Sequence, residues 1–291
     1  MVAKMNDTKL AILICCHNRR EKTLTCLQGV YEQNIPSDVY LVDDGSTDGT
    51  SDAVEERFPT VKILKSDGSL FWGGAMRLAF GEAQKVGYDY YVWLNDDIEL
   101  VPNALSHLLE TYQELKANDK PDSIVVGTLR DRDSGKATYG GTVRLRKWHP
   151  LKFVVLEPGD RPLECETMNG NCTLIPHAVV EKVGNIDPAL THRRGDFDYG
   201  LRSRQLGCSI WVATDDVGTC SRNPIDGTWM DANLPLNVRL KKLKHPKELA
   251  PSEWKLYAKR HGGTLWFLYW LSPYVSLLVS TFSKKNRQPF A

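Results

Sequence analysis

The sequence predicts an α/β protein with a mostly parallel central sheet flanked by helices and a helical C-terminal appendage. Three observations predict it. Over the first hundred residues, continuous apolar runs alternate with segments of helical apolar spacing, as in parallel strands joined by right-handed crossovers. Two acidic clusters, Val42-Asp43-Asp44-Gly45-Ser46-Thr47-Asp48 and Trp93-Leu94-Asn95-Asp96-Asp97, each sit at the end of such a run. Strand carboxyl ends in an open sheet converge on one crevice, so clusters about fifty residues apart in sequence meet around one ligand. Finally, the chain beyond residue 222 turns basic and then strongly apolar.

Leu10 to Cys16 is an unbroken apolar run suited to a strand covered on both faces. Glu21 to Gln33 places Leu24, Leu27, Val30 and Tyr31 at helical spacing, and Val39 to Val42 completes a βαβ unit. The same reading gives a helix over Asp52 to Phe58, a strand over Val61 to Leu64, a helix over Gly74 to Val86 and a strand over Tyr90 to Leu94. A further helix runs from Pro102, at a first helical position, to Lys116. Ile124 to Gly127 reads as a shorter strand and Gly140-Gly141 as a turn. Met168 to Pro176 reads as a loop entering a strand, and Val179 to Val183 as a short helix stopped by Gly184. Asp196 opens a helix with apolar positions at Phe197, Leu201 and Leu206.

Composition narrows the function classes. The 291 residues bury a full core and suit one catalytic domain, expected over 1–222, with an appendage over 223–291. A net charge of +1 gives no general pull toward nucleic acid, so none is expected as a partner and phosphate binding has to be local. The seven cysteines lack CxxC spacing, and Cys15-Cys16 lies within a strand, against both a zinc site and a disulfide framework. They read as small buried hydrophobes of a reducing compartment. Met1 to Lys9 has no apolar stretch of the secretory kind, which points to the cytoplasm.

The acidic clusters carry the chemistry. Hard oxygen ligands at a strand end suit a divalent cation bridging a diphosphate. Read singly, Asp44-Gly45 or Asp97 is an ordinary polar turn; two in succession favour a site. His17, Asn18 and Arg19 follow the first strand, as a solvated turn or as contacts to a base or phosphates. In Ser69-Leu70-Phe71-Trp72-Gly73-Gly74-Ala75-Met76-Arg77, two glycines ahead of a helix permit close backbone approach, and helix-start N–H groups favour an anion. The stretch is neither a Walker loop nor a dinucleotide fingerprint. Phe71-Trp72 also fits a core pair.

Together the motifs resemble the family 2 glycosyltransferases over residues 9 to 222. Leu10-Ala11-Ile12-Leu13-Ile14-Cys15-Cys16-His17-Asn18-Arg19 is similar to the family's opening strand and polar-Asn-Arg turn. Val42 to Asp48 is close to its most recognisable string, and Asn95-Asp96-Asp97 stands where it has Asp-X-Asp. Gly184-Asn185-Ile186-Asp187 matches its Gly-X-Phe-Asp turn, and Gly195-Asp196-Phe197-Asp198-Tyr199-Gly200-Leu201-Arg202 its Glu-Asp-X-Asp-X-X-X-Arg segment. The resemblance implies a GT-A fold with a donor half over about 1–100 and an acceptor half over about 101–222. It implies inverting transfer from a nucleoside-diphosphate sugar, UDP- or dTDP-linked, to a saccharide or lipid-linked saccharide in cell-surface polysaccharide synthesis.

On this resemblance the donor pocket takes His17, Asn18, Arg19, Asp44, Trp72, Gly73, Gly74, Arg77 and Asp96, with Asp44 accepting from the base and Asp43 bracing the turn. Asp97 matches the ligand of Mg²⁺ or Mn²⁺. Asn95 replaces the first carboxylate, which lowers metal affinity and leaves the diphosphate to complete the shell. Asn169, Gly170 and Asn171 line the acceptor side, and Asp196 is the general base, preceded by Gly195 in place of the family's acid. From chemistry alone Asp196 is an N-cap, and Asp198 and Arg202 support its helix.

Beyond the catalytic part, Lys241, Lys242, Lys244, His245 and Lys247 precede an aromatic and apolar run over Thr264 to Phe282, followed by Lys284, Lys285 and Arg287. This suits peripheral attachment to the inner membrane face, where a lipid-linked acceptor is available; an apolar helical pair packed on the catalytic domain is the alternative. Pro273 and marginal length argue against a full span. Arg239, Arg260 and His261 are candidate phosphate contacts. Two rival functions are a sugar-phosphate nucleotidyltransferase, which needs a Gly-rich basic loop where this chain has Cys-His-Asn-Arg-Arg, and a noncatalytic nucleotide-binding assembly subunit, disfavoured by retention of Asp44, Asp97 and Asp196.

Overall fold

The computed structural model describes residues 8–146, 148–192 and 194–282, apart from the side chains of 281 and 282. Most of the expected polar leader Met1 to Lys9, Arg193, and the basic residues Lys284, Lys285 and Arg287 lie outside the described residues. Contacts group the chain into two compact units. One runs to Val143 and resumes over Phe153–Arg222; the other joins Arg144–Lys152 to the chain from Asn223 onward.

The first unit begins with β1 (Leu10–Cys16), α1 (Arg20–Tyr31), β2 (Ser37–Asp44), α2 (Thr50–Arg57), β3 (Lys62–Ser66), α3 (Phe71–Val86) and β4 (Tyr90–Asn95). β5 (Glu99–Leu100), α4 (Ala104–Ala117), β6 (Ser123–Arg130), β7 (Ala137–Tyr139), β8 (Gly141–Arg144), β9 (Phe153–Val155) and β10 (Leu163–Cys165) follow. It ends with β11 (Thr167–Met168), β12 (Cys172–Pro176), α5 (His177–Val183), α6 (Gly195–Gln205) and β13 (Ser209–Thr219). The main sheet has the order β10-β13-β6-β12-β4-β1-β2-β3, with β5 and β7 at its side, and β11-β8-β9 form a small second sheet.

Pairing is parallel across β4-β1-β2-β3 and between β6 and β13, as the βαβ pattern predicts. β12 enters between β4 and β6 antiparallel to both, so the sheet is mixed beyond β4. Strands buried on both faces need continuous apolar runs, and β1 and β4 supply them: Ile12 and Ile14 lie in the core on the α1 and α4 side, and Leu13, Tyr91 and Trp93 in the core on the α3 side.

Three registers locate the site. Cys15 pairs with Asn95, which sets residues 17–19 beside 96 and 97. Cys16 pairs with Asp43, which sets the same turn beside 44–47. Leu94 pairs with Cys172, so antiparallel β12 delivers its approach, residues 169–171, to the carboxyl end of β4.

Several local readings change. α4 starts at Ala104 rather than Pro102, because Asn103 takes a left-handed conformation (φ 64°) and its carbonyl receives His107 N–H at 2.9 Å. α3 starts at Phe71, three residues ahead of the expected Gly74. Arg194, not Asp196, precedes the first turn of α6. The buried face of α6 is Asp198, Tyr199, Leu201 and Ser203, whereas Leu206 is exposed and Phe197 half-buried. The cysteines are free thiols, all buried except the half-buried Cys15.

The second unit contains α7 (Leu236–Leu243), α8 (Pro251–His261) and α9 (Trp266–Phe282). Trp254, Tyr257 and Ala258 on α8 and Leu277 on α9 are buried, and Trp254 Nε1 donates to the Trp270 carbonyl at 2.9 Å. Tyr269 Oη donates to the Trp148 carbonyl at 3.0 Å, which ties the 144–152 segment to α9. Among the described residues no helix is long and apolar enough to cross a membrane.

Candidate active site

Carboxylates at the ends of β2 and β4 take different partners. Asp43 braces its own turn, accepting from Ser46 N–H at 2.9 Å and from the Ser51 hydroxyl. Asp44 is 5% exposed and accepts from the Ser66 hydroxyl, from Leu70 N–H at 3.2 Å and from Phe71 N–H at 2.7 Å. A carboxylate offers about four lone-pair sites, so three are in use. In this arrangement Asp44 therefore pins the 66–71 loop, a part the sequence did not suggest.

His17 Nδ1 donates to the Asp44 carbonyl at 2.6 Å. Asn18, in the left-handed region at φ 52°, receives Thr47 N–H on its side-chain oxygen at 2.8 Å and gives its own N–H to Ser46 Oγ at 2.9 Å. Thus 17–18 and 44–47 are one bonded surface rather than two solvated turns.

Arg19 reaches across to β4. Its Nη1 lies 3.1 Å from Asp96 Oδ1 and 2.9 Å from Asp97 Oδ2. Burial opposes the charge on Arg19, but Asp96 and Asp97 outweigh it and hold its pKa above the ordinary value. Burial pushes the Asp96 carboxyl up to about 6, with Arg19 pulling it down and Asp97 adding to the rise. Thr23 Oγ1 approaches Asp96 at 3.5 Å, and the Cys220 thiol lies 3.6 Å from Asp97 Oδ1. Thr23, one turn after Arg19 on α1, had a spacing signal; Cys220 had none.

The two carboxylates fit a divalent cation of the kind that takes one or two carboxylates and completes its shell with substrate phosphates. Among the described residues no group of three or more His, Cys, Asp or Glu side chains is placed to hold an ion by itself. Asn95 departs from the expectation of a weakened ligand: its Oδ1 accepts from Trp72 Nε1 at 2.9 Å, and its N–H donates to the Asn171 carbonyl at 2.9 Å.

The start of α3 is not an open anion site. Phe71 N–H goes to Asp44, Trp72 N–H to His192 Nδ1 at 3.3 Å, and Gly73 and Gly74 N–H to the Thr191 carbonyl at 2.7 and 3.1 Å. Gly73 is required there by protein rather than ligand: a Cβ would lie 2.4 Å from the Leu190 carbonyl oxygen. Arg77 enters through its backbone, its carbonyl accepting from Asn185 Nδ2 at 3.0 Å.

Asp196 is held by backbone N–H groups. Its Oδ2 accepts Gly170 N–H at 3.0 Å and its Oδ1 Phe197 N–H at 2.8 Å. Burial raises its pKa, while Gly170 N–H, Phe197 N–H and Arg194 act against the rise. Asn169 bonds Gly140 through its N–H at 3.0 Å, and Asn171 is 7% exposed. Of the three residues expected on the acceptor side, Gly170 thus meets Asp196 directly. Asp198 pairs with Arg202 at 2.7 Å, and Arg202 donates to the carbonyls of Val183 and Asn185 at 3.1 Å each, locking α6 to the end of α5.

The three phosphate candidates belong to the second unit. Arg239 is corrected: it is 3% exposed, with Nε on the Trp229 carbonyl at 2.8 Å and Nη2 on Ser280 Oγ at 3.1 Å, a structural guanidinium inside that unit. The His261 ring lies 5.0 Å from Tyr257, and Arg260 is half-buried at the end of α8.

A profile for glycosyl transferase family 2 matches residues 11–184. The chain belongs to that family. Two relatives from strains of Mycobacterium tuberculosis, each an N-acetylglucosaminyl-diphospho-decaprenol L-rhamnosyltransferase, are 25% identical over 204 residues. The match covers 62% of this chain and 66% of theirs, just under two thirds of the relatives' length. Among solved structures, the mannosyltransferase PcManGT of Pyrobaculum calidifontis, in complex with GDP-Man and Mn²⁺, is similar with TM-score 0.55 and 16% identity, over 96% of this chain and 76% of that one. S. aureus TarS gives TM-score 0.58 and 12% identity over 95% and 46%. GalNAc-T7 with UDP, GalNAc and Mn²⁺ gives 0.58 and 14% over 95% and 58%. The fold is GT-A.

Proposed function

We propose that this chain is an inverting glycosyltransferase that moves a hexosyl group from a UDP- or dTDP-sugar to a hydroxyl of a lipid-linked saccharide in cell-surface polysaccharide synthesis. The observation that carries the reading is the proximity of two acidic centres. Asn95, next to Asp96 and Asp97, is bonded to Trp72 and Asn171, and Gly170, between these elements, is bonded to Asp196. The rhamnosyltransferase relatives support the lipid-linked acceptor class.

In the mechanism, Asp196 accepts the proton of the acceptor hydroxyl as its oxygen bonds to the anomeric carbon and the bond to the diphosphate breaks on the opposite face. Its raised pKa makes the carboxylate a stronger base than an exposed Asp. Asp97 and Asp96 would hold Mg²⁺ or Mn²⁺, which when bound neutralises charge on the departing diphosphate. Arg19 adds a positive group beside the same phosphates, and the 17–18 and 44–47 surface adjoins the base.

The second unit supports attachment to the inner face of the cytoplasmic membrane. α9 carries no charged residue and exposes Phe267, Leu268, Leu271, Val275, Leu278 and Val279 at helical spacing. Lys241, Lys244, Lys247, Lys255 and Lys259 of the same unit are exposed. An apolar stripe within a basic unit suits an anionic lipid surface.

The test of the transferase reading is thermal stabilisation of the full chain by UDP, dTDP, GDP and CMP, with and without Mn²⁺, in wild type and Asp97→Ala. Stabilisation by one nucleotide that needs Mn²⁺ and is lost in the variant supports the reading and names the donor class. No response to any of them overturns it.

A further inference from the structure

Trp72 sits at the junction of the site. Its Nε1–H is held by Asn95 Oδ1 at 2.9 Å, and its ring meets Trp93 edge-on at 6.0 Å between centroids. The benzo edge lies against Gly170, where a Cβ would stand 2.7 Å from Trp72 Cζ2 and 2.8 Å from Cη2. It also faces Gly195, where a Cβ would be 3.7 Å from Trp72 Cζ3. Gly170 donates the N–H that Asp196 accepts, and Gly195 is the residue before Asp196. The indole therefore touches both backbone segments that aim the carboxylate.

We infer that Trp72 is a positioning residue for the general base, and that Asn95 stands in the acidic motif as the acceptor that orients this indole rather than as a ligand. Two sequence departures then share one cause. A neutral amide oxygen accepts the indole N–H without adding a third negative charge beside Asp96 and Asp97. Glycine at 195 leaves room for the ring, where a larger side chain would enter a space already bounded by Ile186 Cγ2, 3.3 Å from an added Cβ. The inference rests on Asp196 being the base. Arg194 is a charged side chain acting on Asp196, and neither variant below alters it.

The experiment follows the Asp196 carboxyl by ¹³C NMR of the full chain labelled at Asp, with its signal assigned by loss in Asp196→Asn. Trp72→Phe removes the N–H together with the benzo edge that meets Gly170 and Gly195; Asn95→Leu removes the acceptor alone. Each should raise the Asp196 titration midpoint by about half to one pH unit, because a loosened Gly170 N–H no longer favours the carboxylate. The double variant should move it no further than Trp72→Phe alone, since Asn95→Leu cuts a bond already lost there. A midpoint unchanged in both single variants, or shifts that add in the double, overturns the inference. If Asp196→Asn retains transfer, the base reading fails instead. If that variant is inert and the midpoint stays put, only the Trp72–Asn95 link fails.

Discussion

One nitrogen of Arg19 serves both acidic side chains at the end of β4, 2.9 Å from Asp97 Oδ2 and 3.1 Å from Asp96 Oδ1. A guanidinium in that position competes with any cation for the same oxygens. Arg19→Gln should tighten binding of Mn²⁺ alone, about threefold to tenfold, because the pair is partly exposed and its attraction partly screened. Electron paramagnetic resonance of free Mn²⁺ measures this, with Asp97→Ala as the non-binding control. Equal affinity in wild type and Arg19→Gln would refute the competition.

Asp196→Asn keeps the size of the side chain and removes its basicity. Turnover should fall by about 10²–10⁴-fold with nucleotide affinity within about twofold of wild type. Donor turnover with dTDP- and UDP-sugars, alongside nucleotide binding by calorimetry, separates the two. Joint loss of binding and turnover would mean that Asp196 supports the fold rather than the chemistry.

Burial pushes the Asp96 carboxyl up to about 6 in the folded chain from an ordinary 3.8. Between these values the folded chain holds a proton that the unfolded chain has released, so this group's contribution to stability declines as pH rises through that window and levels off above it. Asp96→Asn removes the titration. Its melting temperature relative to wild type should therefore climb between about pH 4 and pH 6, by a few degrees for an effect on the order of 1–3 kcal/mol. A constant difference across that range would contradict the raised pKa.

Asp44→Asn turns one acceptor of the 66–71 loop into a donor facing N–H or O–H groups. Hydrogen exchange at the Leu70 and Phe71 amides should speed up by about tenfold or more, the equivalent of losing roughly 1–3 kcal/mol of local bonding. Unchanged protection at both amides would show that Asp44 does not hold the loop.

Placing glutamates at Leu271 and Val275 puts two charges on the exposed stripe of α9 without touching buried Leu277. Co-sedimentation with vesicles containing anionic lipid should weaken about tenfold or more while the melting temperature stays within about two degrees, as expected for two apolar side chains lost from an interface. If wild type fails to sediment with such vesicles, the peripheral reading is wrong.

Much of the first hundred residues was legible in the sequence because the signals there are local. The doubly covered strands β1 and β4 announce themselves as unbroken apolar runs, and helical spacing marks α1 and α3. The acidic strings at 43–48 and 95–97 carried the resemblance to the family. What the sequence could not convey is which polar groups answer one another across the fold. His192 meets Trp72 from 120 residues away, and Gly170 meets Asp196 only because β12 enters antiparallel beside β4. Tertiary structure alone turned the N–H groups at the start of α3 from an apparent anion site into bonds to Asp44, His192 and Thr191, made Asn95 the partner of an indole, and buried Arg239. The physical reason is common to all three. Periodicity and turn chemistry depend on near neighbours along the chain, whereas satisfying a buried hydrogen bond depends on which distant segment packing brings within about 3 Å.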